Sequence, residues 1–307
     1  MSAPAISVVI PSWNRHEQLL DCLRALDRQT LPGDAFEVIV VDDGSSPALD
    51  EAVCRLACGR PLRLIHQENG GPAAARNRGL EAATGAALAF TDDDCLPEPH
   101  WLESMLAAWR ATPDALIGGS TYNGLRDDVW AETSQLILDM VYEHFNADPD
   151  RAYFFASNNM LCGREACLAG GGFDPTFRIA SEDRDLCDRW RAARRPLRWV
   201  PDARIEHRHR QTWLGFLRMH YRYGRGACAY WRTRRARGTG TMREDLGFQA
   251  AWIRRLPHHL GRQRGWVQRL RILTALAAWQ VANAVGFAVE RLKGGAAART
   301  GARTTVG

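Results

Sequence analysis

Residues 86–94 read Ala-Ala-Leu-Ala-Phe-Thr-Asp-Asp-Asp. A short uncharged apolar run that stops abruptly at three carboxylates reads as a buried strand ending in a polar loop. The same pattern recurs upstream. Ile6 to Ile10 is a β-branched run ending at Pro11, Val38 to Val41 stops at Asp42-Asp43-Gly44-Ser45, and Leu62 to Ile65 is a third run. Between them lie helical segments: residues 16–29, with Leu19, Leu20, Leu23 and Leu26 at helical spacing, and a helix opened by Pro72 that runs through Ala83. Strands alternating with helices predict βαβ crossovers and a mostly parallel sheet. In such sheets ligands bind beyond the carboxyl ends of the strands. Ser12 to Arg15, Asp42 to Ser45 and Asp92 to Asp94 all fall there, so the alternation that predicts the fold also predicts one site.

The chain has 307 residues, enough for one large domain and an appendage. Hydrophobic residues make up 46% and charged residues 24%, as in folded globular proteins. The formal net charge of +5 is unevenly spread: from Arg208 to Arg271 the only acids are Glu244 and Asp245. That region favours anionic partners, or is a solvated helical surface in an Arg-rich chain whose only lysine is Lys293. The eight cysteines form no CxxC pair and read as core residues of a reducing compartment. Met1 passes into a strand-like run without a basic and then an apolar leader, so no secretory signal is expected and the expected location is cytoplasmic.

Each polar cluster has a plain structural reading beside its chemical one. Asp92-Asp93-Asp94 is either an acidic turn before Pro97 and Pro99 or a set of carboxylates that repel one another until a cation sits among them. Asp42-Asp43-Gly44-Ser45 is an Asx-type turn or an acceptor for base or ribose. No GxGxxG accompanies it, which argues against a nicotinamide or flavin enzyme. Gly70-Gly71-Pro72 leads into a helix whose first turn region carries Arg76, placed to meet an anion. Glu182 and Asp183 open a helix bearing Leu186 and Trp190, where the helix dipole favours them and where Asp183 can also serve as a general base. His207 follows a strand-like run, Leu197 to Val200, and is a candidate metal ligand or an ordinary histidine.

Taken in order, Ile-Ser-Val-Val-Ile-Pro-Ser-Trp-Asn-Arg (6–15), Val-Val-Asp-Asp-Gly-Ser (40–45), Gly-Gly-Pro-Ala-Ala-Ala-Arg-Asn (70–77), Phe-Thr-Asp-Asp-Asp (90–94), Gly-Gly-Phe-Asp (171–174) and Glu-Asp-Arg-Asp-Leu (182–186) resemble family 2 glycosyltransferases. The resemblance covers residues 5–210 and implies the GT-A fold, an α/β nucleotide-binding sheet flanked by helices. It implies a nucleotide-sugar half at about 1–97 and an acceptor half at about 98–210. It also implies residue roles. Pro11, Trp13, Arg15, Asp42, Arg76, Asp92 and Asp93 would hold the nucleotide. Asp92, Asp94 and His207 would hold Mn²⁺ or Mg²⁺, and Asp183 would be the catalytic base. Asn158, Asn159, Gly171, Gly172 and Glu182 would lie at the acceptor or donor sugar. The implied reaction is a single displacement with inversion, from a nucleoside-diphosphate sugar, with a UDP-sugar foremost, to an acceptor hydroxyl on a glycan, glycolipid or natural product. The Gln-x-x-Arg-Trp motif of processive synthases is absent, so transfer of one or a few sugars is expected. A nucleotidyltransferase and a non-catalytic nucleotide-sugar binder are the alternatives; the first lacks its Gly-rich basic loop and the second has no use for Asp183.

After residue 210 the alternation stops. Residues 211–293 read as a basic helical extension, followed by a disordered tail at 294–307. Ile272 to Val289 is eighteen residues without charge, at the short limit for a membrane span, and with Gln280 and Asn283 inside it reads as a buried or interfacial helix. Peripheral contact with the inner face of the cytoplasmic membrane is the resulting expectation. Nucleic acid is the less favoured partner for the interleaved arginines and aromatics.

Overall fold

The computed structural model describes residues 4–240, 242–261 and 265–301. The alternating elements are β1 (Ile6–Ser12), α1 (His16–Asp27), β2 (Phe36–Asp42), α2 (Glu51–Ala57), β3 (Leu62–His66), α3 (Pro72–Ala82) and β4 (Ala87–Phe90). There follow β5 (Cys95–Pro97), α4 (Trp101–Ala111), β6 (Leu116–Asn123), α5 (Val129–Phe145), β7 (Met160–Gly163), α6 (Arg164–Ala169), α7 (Glu182–Ala192) and β8 (Leu197–His207). Three helices close the described chain: α8 (Trp213–Arg237), α9 (Met242–Gly261) and α10 (Trp266–Gly301).

One compact unit comprises the chain up to Leu125, Leu138–Arg178 and Glu182–His209. It holds an eight-stranded sheet in the order β3-β2-β1-β4-β7-β6-β8-β5. β1 pairs in parallel with β2 and β4, and β2 with β3. β7 runs antiparallel to β4 and β6, and β5 antiparallel to β8. Every residue of β2 is buried, as expected of a parallel strand covered on both faces. α1 lays Leu19, Cys22, Leu23 and Leu26 into the core at helical spacing, where they meet Ile6, Val8 and Ile10 of β1 and Phe36 of β2.

β8 is longer than its first four residues suggest. It runs to His207, and its pairing with β6 is interrupted between Gly118 and Ser120, which face Trp199 and Arg204. Pro201 falls inside that irregularity, where a strand residue has no ladder hydrogen bond to donate. The expectation that the strand ends at Val200 is therefore corrected, and Glu206 and His207 belong to the strand itself.

The second unit comprises Arg126–Ile137, Ile179–Ser181 and the chain from Arg210. Within it α8 and α10 approach closely: a side chain on Gly224 would collide with the backbone of Asn283, and one on Gly286 with that of Tyr221. Arg225 Nε donates to Glu290 at 2.8 Å, with Arg232 at 3.4 Å from the same carboxylate. Trp130 packs on Trp213 and Phe216, ring centres 5.0 and 5.6 Å apart. Of the expected tail, residues 294–301 continue α10, and 302–307 lie outside the described residues.

Candidate active site

The site forms where β1, β2 and β4 end. β1 and β2 finish in register, Ser12 opposite Asp42, and the chain leaving β4 turns tightly through residues 91–95, with the Cys95 amide donating to the Asp92 carbonyl at 3.2 Å. β5 then pairs antiparallel with the end of β8, Cys95 facing His207. The Arg208 amide donates to the Asp94 carbonyl at 2.9 Å. Two backbone ladders thus bring a turn and a strand end, over a hundred residues apart, to one point.

Asp94 is at the centre. Its Oδ1 lies 3.2 Å from His207 Nε2, and its Oδ2 lies 2.9 Å from His209 Nδ1 and 2.7 Å from Arg15 Nη1. Burial alone would push the Asp94 carboxyl up, but His207, His209 and Arg15 outweigh it and hold it well below the usual carboxylate range. The same pairing raises His207 against the opposing effect of its own burial. The ligand atoms of Asp94, His207 and His209 lie within 4.8 Å of one another. One carboxylate oxygen and two imidazole nitrogens suit a divalent first-row cation such as Mn²⁺, so the residues present fit the metal. His209 is absent from the ligands expected from sequence. Its signal was there: two histidines separated by one residue, at the end of an extended segment, share a face.

Asp93 shares Arg15 with Asp94, accepting from Ser12 Oγ at 2.8 Å and Arg15 Nη1 at 3.1 Å. Its burial pushes its carboxyl up to about 6, despite Arg15. Asp92 accepts from Arg76 Nη2 at 2.7 Å, and Arg76 Nη1 donates to Glu182 at 2.9 Å. Arg76 is 3% exposed, and its guanidinium also lies over the Phe173 ring. It bridges two carboxylates rather than projecting freely from α3 toward a ligand.

Asp183 stands next to this bridge at the start of α7, half-buried, with Oδ1 accepting from the Arg184 amide at 2.7 Å. Desolvation first, and then the neighbouring Glu182 charge, push its carboxyl up to about 7. A carboxyl poised there suits a general base at neutral pH. Ser181, two residues before it, holds φ at +81°, a left-handed conformation that costs a non-glycine residue about 1–3 kcal/mol.

The remaining predicted residues divide between lining and framework. Trp13 is 54% exposed and offers an open ring, while Pro11 is half-buried within β1. Asp42 is buried with both oxygens engaged, by the Ser45 and Leu49 amides at 2.9 and 3.0 Å and by His66 Nδ1 at 3.0 Å. Asp43 accepts from the Gly70 and Gly71 amides at 2.8 and 2.9 Å. It thereby fixes the turn, with Gly71 at φ +87°, from which α3 departs carrying Arg76. Asn159 is fully buried, accepting from Trp101 Nε1 and donating to the Ser120 and Ala203 carbonyls. Asn158 is also buried, 3.7 Å from Cys95 Sγ, with its Oδ1 lacking a partner. Gly171 and Gly172 have φ of +80° and +62°. Gly172 abuts Asn77, whose side chain exchanges two hydrogen bonds with the Phe173 backbone. The Gly-Gly-Phe segment therefore steadies α3 and Arg76.

Residues 7–171 match the profile described as glycosyl transferase family 2. The chain is 40% identical over 119 residues to the glycosyltransferase AglE of Haloferax volcanii, covering 38% of this chain and 39% of that protein. It is 32% identical over 253 residues to the pre-mycofactocin glycosyltransferase of Mycobacterium tuberculosis, covering 81% of this chain and 52% of that one. The chain thus spans about half or less of the length of these relatives. Among solved structures, a mannosyltransferase from Pyrobaculum calidifontis in complex with GDP-Man and Mn²⁺ superposes with a TM-score of 0.62 at 19% identity, covering 97% of this chain and 81% of that one. The fold is GT-A, and the chain belongs to glycosyl transferase family 2.

Proposed function

We propose that the protein is a metal-assisted, inverting glycosyltransferase that moves one sugar from a nucleoside-diphosphate sugar to an acceptor hydroxyl. The observation that carries this reading is the convergence of Asp94, His207 and His209 at the mouth of the β4 turn, in the same unit as a raised carboxyl at Asp183. The donor half is residues 1–97 and the acceptor half 98–210. Trp13 provides a stacking face for the base, and Asp42 and Asp43 shape the loops around it. Asp94, His207 and His209 would hold Mn²⁺ or Mg²⁺, with Asp92 close by. A cation bound there supplies positive charge for the leaving diphosphate.

Asp183 accepts the proton of the acceptor hydroxyl as that oxygen bonds to the anomeric carbon. The bond from that carbon to the diphosphate oxygen breaks on the opposite face, and configuration inverts. Arg76 ties Asp92 to Glu182, and Asp183 follows Glu182 in the first turn of α7. A UDP-sugar is the first donor to try, and the acceptor class is a glycan, a glycolipid or a natural product. The eight cysteines are all free and buried, which suits a reducing, cytoplasmic setting.

Calorimetry with a panel of nucleotide sugars, with and without Mn²⁺, tests the donor site. Metal-dependent binding of one donor, weakened in Asp94→Ala, supports the reading. Donor binding equal in the two proteins, or a product that retains anomeric configuration by NMR, would refute it.

A further inference from the structure

Helix α10 turns apolar side chains outward as well as inward. From Ile272 to Val289 it carries no charged residue. Ile272, Ala275, Leu276 and Trp279 are buried. On the other side Trp266, Leu270, Leu273, Val281, Val285 and Leu292 are 40–75% exposed, with Ala277, Ala284 and Ala288 exposed between them. Positions 266, 270, 273, 277, 281, 284, 288 and 292 recur at helical spacing, so they share one face, about 40 Å long. A continuous apolar face of that length marks an interaction surface.

The surrounding charge selects its occupant. Arg269 and Arg271 are exposed at one end of the stripe, Arg291 and Lys293 at the other, and Arg218, Arg222 and Arg235 are exposed on α8. A second copy of this chain would bring like charge against like, whereas an anionic headgroup layer complements it.

α10 is long and apolar enough to cross a bilayer, but its attachments oppose that placement. Glu290 is held by Arg225 and Arg232, and the glycine contacts at Gly224 and Gly286 seat α10 along an arginine-bearing α8. Crossing would draw those charges into hydrocarbon or break the pairing. We infer that the outward stripe of α10 is a membrane-docking face. It lies in the plane of an anionic lipid surface, with its apolar side chains in the acyl layer and its flanking arginines among the headgroups. This inference is independent of the transfer chemistry.

The test is co-sedimentation of the full chain with phosphatidylcholine vesicles, with and without phosphatidylglycerol. The protein is expected to bind the anionic vesicles and to release as salt rises. Val281→Asp combined with Val285→Asp, both outward-facing, should lower the partition coefficient by about a hundredfold, with the circular dichroism spectrum unchanged. Val281→Leu with Val285→Leu should retain binding. No binding to anionic vesicles, or equal binding by the double aspartate variant, overturns the inference. So does a dimer in vesicle-free solution that the aspartates dissociate, since the stripe would then be covered by a second copy.

Discussion

Asp183→Asn separates catalysis from stability, and the two are expected to move in opposite directions. In the folded chain the Asp183 carboxyl is raised from 3.8 to about 7, by desolvation and then by Glu182. A difference of that size corresponds to about 4 kcal/mol at most. The side chain is only half-buried, so solvent screening brings this to roughly 2 kcal/mol. The unfolded carboxyl ionises near pH 4 and the folded one near pH 7, so the unfolded state loses its proton first. Stability therefore falls as pH rises through that window and levels off above it. The asparagine variant lacks this slope. At pH 8 it should be more stable than wild type by about 2 kcal/mol, with little difference near pH 4. Urea denaturation without donor or metal measures this directly. Transfer by the same variant should fall by about 10²–10⁴, with donor affinity unchanged, and the wild-type rate should rise with pH toward a plateau, with a midpoint near 7. A stability gap that does not widen between pH 4 and 8 would refute the desolvation argument. Retained transfer would refute the role of base.

His209→Ala and His207→Ala should each weaken Mn²⁺-dependent donor binding by about 10–100-fold in calorimetry, with the fold unchanged. Arg76→Ala strands Asp92 and Glu182 without their shared partner. It should cost about 3–5 kcal/mol in urea denaturation, with Arg76→Lys recovering part of that because one ammonium cannot reproduce the two-sided fork. Gly172→Ala places a methyl 2.5 Å from Asn77 Oδ1 at φ +62°. It should lower stability by about 1–3 kcal/mol and the melting temperature with it.

The four parallel strands and the helices between them were legible because their apolar runs end at turn residues, and in β1, β2 and β4 those runs are buried on both faces, while β3 at the sheet edge is only partly buried. Val38–Val41 extends only to Phe36–Asp42, and Leu62–Ile65 to His66. β6 escaped notice for a packing reason. Its Gly118 and Gly119 break the strand pattern, yet both are needed because Phe155 and Asn159 fill the space where side chains would stand. Asp92, Asp94 and Asp183 stood out in the sequence because carboxylates cluster there at a strand end and a helix start, and their proposed roles build on that clustering. The partners of those groups were not. Arg76 pairs with Glu182 across 106 positions, and His209 reaches Asp94 across 115. The spacing of His207 and His209 places them on one face, but which carboxylate they or Arg76 meet depends on how the sheet closes. Asp43 and Asn159 show the converse: residues of functional type whose hydrogen bonds are spent on holding loops and strands.

The Arg76 bridge also bears on how this chain tolerates change. One guanidinium spans Asp92 and Glu182, so a single side chain couples the turn after β4 to the first turn of α7. Of the chain between them, the turn at Gly172 and Phe173 is itself tied to the bridge, through Asn77 and through the ring beneath Arg76. The spacing of the two carboxylates thus depends on a buried cation and on the turn that seats it, and a change in that turn reaches both acids at once.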